Sequence, residues 1–212
     1  MGARKSGRLA RLGGVQKDEP SKLVELPEQR MKFAVEIVAR GIDYPRFRQV
    51  YYSEEFNRDV AVAVKLKERT QIEYVKLPDG KERRKVRVVP RIQPPAAIQK
   101  LLNGRPLHYE ETTVFDPATR SASFDVESAA GETLQVTGLV RFVEEPGGMR
   151  LRFEGEARVK VFGLGALAER YIVGEVKGRY EVIQTLLQKF IDEGRASAVT
   201  PLSTRPPDPI SA

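Results

Sequence analysis

The sequence predicts an α+β fold in which an antiparallel sheet with one apolar face is covered by a long C-terminal helix. Three observations carry this reading. Residues 148–161 alternate strictly, with Met149, Leu151, Phe153, Gly155, Ala157, Val159 and Val161 on one face and Arg150, Arg152, Glu154, Glu156, Arg158 and Lys160 on the other, the pattern of a strand with a core side and a water side. The segments before it are punctuated by PDG, DPATR, AAGE and EEPGG, turn sequences that join antiparallel strands. The chain then closes on a stretch whose apolar residues recur at helical spacing from about 164 to 192, an obvious cover for the apolar sheet face.

At 212 residues the chain has the length of one domain with tails. Residues 1–30 read as a basic disordered tail, 31–193 as the domain and 194–212 as a Pro/Ser/Thr-rich tail. Five of the seven net positive charges lie in residues 1–17, which contain no acid, so the basic character belongs to the tail. The opening Met-Gly-x-x-x-Ser also fits the pattern for myristoylation of Gly2. There is no cysteine and a single histidine, His108, which excludes disulfides, thiolate chemistry and paired-histidine metal motifs. No metal or cofactor is expected, nor nucleic acid, because no aromatic platform accompanies the basic residues. No apolar run reaches membrane-spanning length, and a cytoplasmic protein is expected.

Within the domain, KFAVEIVAR alternates as a half-buried strand. Two short helices follow, the first with Pro45 in its opening turn and the second starting near Ser53. Strands are expected near 69–77 and 81–91 around the PDG turn. PPAAIQKLLNG is a short helix or turn ended by Asn103 and Gly104. LHYEETTVF, SASFDVES and TLQVTGLVRFV then supply three strands before the one ending at residue 161. In KERRKVRVVPR, Arg83, Lys85 and Arg87 lie opposite Val86 and Val88 and form a solvated face, near acids such as Glu110.

On a helical wheel Ile172, Val176, Ile183, Leu187 and Phe190 form the stripe facing the sheet. Gly174 and Gly178 fall on the other side with Leu164, Leu167 and Tyr171, so the early turns are apolar nearly all round and need a second cover. Each interior glycine costs about 1 kcal/mol relative to alanine. Either close backbone packing or a helix softened for movement would account for them. GLGALA matches a dinucleotide fingerprint, but no parallel strand follows the helix as such a site requires. Gly163 and Gly165 are instead expected to turn the chain from sheet to helix.

This element order resembles the helix-grip fold of the START-like (SRPBCC) superfamily, a curved antiparallel sheet of about seven strands wrapped around a long C-terminal helix. The stretches VVPRIQPPAAIQKLLNG, YEETTVFDPATRSASFDV and ARVKVFGLGALAERYIVGEVKGRYEVIQTLLQKFI are similar to a bacterial branch of it, and more distantly to START-like lipid-transfer domains of eukaryotes. The resemblance spans roughly 31–193 and implies a hydrophobic or amphipathic ligand, such as a lipid, sterol-like molecule or polyketide, held between sheet and helix. Tyr74, Val88, Tyr109, Glu111, Phe124, Val136 and Phe153 are the inward positions expected to line that site. Binding without chemistry is the expectation, with transient membrane contact through the cavity mouth and basic tail. The alternatives are a cyclase or hydrolase using Glu111 and a cavity tyrosine, and a ligand-free module docking a protein. Oligomeric state is not predicted.

Overall fold

The computed structural model describes residues 29–160, 165–199 and 210–211. Strand β1 (Gln29–Arg40) leads into helices α1 (Tyr44–Tyr52) and α2 (Glu54–Ala63), followed by β2 (Leu66–Lys76), β3 (Glu82–Pro90) and the short helix α3 (Ala96–Leu102). Strands β4 (Tyr109–Asp116), β5 (Ser121–Ser128), β6 (Leu134–Glu145) and β7 (Gly148–Val159) come next, then helix α4 (Gly165–Asp192). Seven antiparallel strands form the open sheet in the order β1-β7-β6-β5-β4-β3-β2, and a two-residue strand β8 (Ile210–Ser211) pairs with the outer edge of β2. The expected helix-grip architecture is present.

Local chemistry explains the early elements. Asp43 caps α1 by accepting from the Arg46 amide at 2.9 Å, and Pro45 sits in the first turn. Ser53 ends α1 and starts α2: its hydroxyl donates to the Val50 carbonyl at 2.9 Å and accepts from the Phe56 amide at 3.2 Å. The Asn57 amide donates back to the Ser53 carbonyl at 2.7 Å. With Ser53 and Asn57 both buried, these bonds fix the angle between the two helices. Helix α3 stops at Asn103, which takes the left-handed conformation at φ 49°.

The main core lies between β1, β6 and β7 on one side and α1, α2 and the second half of α4 on the other, with Ile37, Phe47, Leu151 and Leu187 fully buried. Leu187, Ile183 and Phe190 face the sheet as their wheel positions require. Gln184 and Gln188 reach past them to accept from the Val38 and Arg40 amides at 3.3 and 2.9 Å, occupying donors on the edge strand β1. The outer sheet face is charged, with pairs such as Lys85–Glu110 and Arg141–Glu154, both at 2.7 Å.

Two glycines meet where β6 pairs with β7. Gly138 and Gly155 stand directly opposite each other, and a Cβ on Gly138 would come within 2.3 Å of the Glu154 carbonyl and 2.5 Å of the Phe124 ring. A Cβ on Gly155 would meet the Thr137 carbonyl at 2.6 Å and the Phe33 ring at 2.7 Å. Two aromatic rings thus lie on bare backbone, the close approach that only glycine allows.

Three expectations change. Residues 195–198 form a 3-10 turn rather than part of a tail, and Ala196 and Val199 are buried in the main core because their small apolar side chains fill space beside α4. The early turns of α4 are covered on one side only, by α3 and the β5–β6 connection, where Ile98, Leu101, Leu102, Ala129 and Leu134 pack with Ala168, Tyr171 and Ile172, while Leu167 stays exposed. Gly174 and Gly178 are not sites of close packing: a Cβ on either meets no described atom within 4 Å. The basic N-terminal tail with its myristoylation pattern, the corner at Gly163, and Leu164 lie outside the described residues.

Open space at these two glycines makes their helix cost recoverable. The Gly174→Ala, Gly178→Ala double variant is expected to be more stable by about 2 kcal/mol, raising Tm by roughly 4–8 °C. A melting curve that stays in place or moves down would show that these positions need glycine for another reason.

Candidate functional site

Between the concave sheet face and α4 lies a cavity of about 270 Å³. Its two sides differ in chemistry. One wall is apolar, built from Phe33, Phe124, Val126, Val136, Val140 and Phe153 of β1 and β5–β7, and closed by Ile172, Val176 and Ile183 of α4. The other wall carries Arg69 from β2, Arg84 from β3 and Tyr109, Glu111 and Thr113 from β4. Tyr51 and Tyr52 enter from the end of α1, and Glu175, Arg179 and Tyr180 from α4.

The strand register accounts for this division. Inward positions two residues apart carry Arg84, Val86 and Val88 on β3, opposite Thr113, Glu111 and Tyr109 on β4. In β2 the register slips twice, between Leu66 and Glu68 and between Gln71 and Glu73. Arg69 and buried Gln71 share one parity, and the first slip sets Leu66, of the other parity, on the same inner side.

Several polar groups have defined partners. The Arg84 Nε donates to Gln71 Oε1 at 2.7 Å, and its guanidinium lies 5.4 Å from the centre of the Tyr52 ring. Arg179 donates to the Tyr109 hydroxyl, and the Thr113 hydroxyl donates to Glu111 Oε1 at 3.3 Å. Burial, reinforced by the positive charge of Arg69, pushes the Arg84 guanidinium down to about 10. Burial also drives the phenols of Tyr51, Tyr109 and Tyr180 above the ordinary tyrosine value, and that of Tyr52 up to about 12. All four phenols also feel the negative charge of Glu111, which places that carboxylate among them.

Of the seven inward positions expected, Val88, Tyr109, Glu111, Phe124, Val136 and Phe153 line this cavity. Tyr74 does not: it pairs with Arg84 toward the C-terminal end of β2, where it feels the charge of Glu82, and is absent from the lining. The arginines and the α1 and α4 tyrosines were not among the expected residues. Arg84 has a readable signal, since it shares the parity of Val86 and Val88.

The family model described as a protein of unknown function, DUF2505, matches residues 42–191. This chain is a DUF2505 protein. No curated protein matches the DUF2505 sequence. Among solved structures it is similar to Ara h 8.0201, with a TM-score of 0.50 and 14% identity over 76% of this chain and 99% of that chain. It is also similar to the di-domain ARO/CYC StfQ from the steffimycin biosynthetic pathway, with a TM-score of 0.50 and 14% identity over 78% of this chain. The DUF2505 chain spans about half of that two-domain protein, 52%. These likenesses establish a START-like, helix-grip fold. Among the described residues no helix is long and apolar enough to cross a membrane.

Proposed function

We propose that this protein binds or carries a hydrophobic or amphipathic small molecule, of the lipid, sterol-like or polyketide class, in the cavity under α4 and without chemical change. The observation that carries the reading is the cavity itself, about 270 Å³ with a continuous apolar wall facing a few convergent polar groups. Val88, Phe124, Val136 and Phe153 would hold the apolar body, while Tyr109 and Glu111 would orient its polar end.

Solvent extraction of the purified protein followed by mass spectrometry tests this, with an unrelated protein as control. One apolar or amphipathic compound near stoichiometric amount is the expected result. An empty extract together with no uptake from a mixed lipid panel would overturn the proposal. One observation favours an enzyme as the second reading: the Glu111 carboxylate lines the cavity beside Tyr109, where it would serve as a base toward a bound substrate. Under that reading Glu111→Gln abolishes turnover of polyketide-like test substrates; under simple carriage no turnover exists to lose.

A further inference from the structure

Resting on the reading of the cavity as a ligand site, we propose that the Arg69–Arg84 pair on the β2–β3 wall recognises an oxyanion, so that the ligand is an amphiphile with an apolar body and an anionic head. Three features support this. Arg84 is already positioned: Gln71 takes its Nε at 2.7 Å and the Tyr52 ring lies 5.4 Å from its guanidinium carbon. That bond uses the one nitrogen that does not belong to the terminal fork, and the two terminal nitrogens make no hydrogen bond with a described residue. A guanidinium held in this way presents the geometry that pairs with a carboxylate or phosphate through two parallel bonds.

Arg69 lines the same cavity and makes neither a hydrogen bond nor an ion pair with any described residue. Its charge acts on Arg84 more strongly than Glu111 does, so the two guanidiniums repel each other with no carboxylate bridging them. An anion placed between them removes that repulsion and fills both unpaired forks.

The charge balance points the same way. On α4, Arg179 donates to Tyr109 and is accompanied by Glu175. Arg69 and Arg84 face only Glu111 on their own wall. Among the described residues lining the cavity one positive charge is left over, which suits a singly charged head. Opposite it, β5–β7 offer Phe124, Val126, Val136 and Phe153 to a hydrocarbon body.

The test uses the full chain at neutral pH loaded with the uncharged fluorescent probe N-phenyl-1-naphthylamine, displaced in turn by dodecanoate, methyl dodecanoate, dodecyl phosphate and dodecylamine. Dodecanoate or the phosphate is expected to displace the probe at a concentration about tenfold below that of the ester. Whichever is stronger identifies the oxyanion. Arg69→Gln and Arg84→Gln should each reduce that preference, taken as the ratio of acid to ester in the same variant, to roughly threefold or less. Arg69 makes no side-chain hydrogen bond or ion pair with a described residue, so its variant keeps the test valid should Arg84→Gln disturb folding. An ester as effective as the acid, or an amine more effective than either, overturns the anion assignment and leaves the cavity reading standing. Failure of the probe and of every amphiphile to bind overturns both.

Discussion

Gly155→Ala is expected to destabilise the protein by about 3 kcal/mol, an effect read from the denaturant midpoint. The added methyl group would lie 2.6 Å from the Thr137 carbonyl and 2.7 Å from the Phe33 ring, so backbone as well as side chain must move. Gly138→Ala should cost a similar amount, because its new methyl meets the Glu154 carbonyl at 2.3 Å. Trimming Phe124 should not rescue it, since the first obstacle is main chain. The two glycines face one another across β6 and β7, so the two substitutions crowd the same place. A loss below about 1 kcal/mol in both variants would mean that the sheet can relax there, and that the bare backbone is not what seats the Phe33 and Phe124 rings.

The second large effect is a loss of stability in alkali. Burial raises the phenols of Tyr51, Tyr52, Tyr109 and Tyr180 above the ordinary value of 10.0. In the unfolded chain they ionise near 10.0, so above that pH the unfolded state has released protons that the folded state retains. The stability they contribute is therefore complete below pH 10.0 and is lost as pH rises through about 12, the value reached by Tyr52. Denaturant titrations at increasing pH should show the midpoint falling across this window, with phenolate absorbance from these residues appearing only as the protein unfolds. Gradual ionisation near 10.0 in a protein that stays folded would place the four rings in contact with bulk water.

The features legible in the sequence were those set by near neighbours. Alternation along 149–159 identified the face of β7, Pro45 and Ser53 marked the helix starts, and Asn103 with Gly104 marked the end of α3. Glu111 was legible too, as an acid on the same strand face as Tyr109 and Phe115. Arg84 was obscured by its outward basic neighbours Arg83 and Lys85, although its parity with Val86 assigns it to the inside. Arg69 was not legible, because two register slips in β2 defeat any count by twos. Tyr51 and Tyr52 reach the cavity only through the angle set at Ser53 and Asn57. The glycines illustrate the same limit. Gly174 and Gly178 stood out because helices penalise glycine locally, yet they face open space, while the tightly enclosed Gly138 and Gly155 lay within ordinary strand patterns.

The pairing of β1 with β7 joins residues 29–40 to residues 148–159, and α4 then closes over both. The order in which the chain can fold follows from that connection. A ribosome releases β1 long before its partner exists, so this apolar strand waits with an open edge through the synthesis of five other strands. Hairpins from β2 to β6 can assemble from local contacts, whereas closing the β1–β7 loop carries the entropy cost of the longest span among the seven main strands. A chain that stops before residue 148 would keep every hairpin up to β6 and still lack the strand that completes it, leaving β1 free to pair with another molecule.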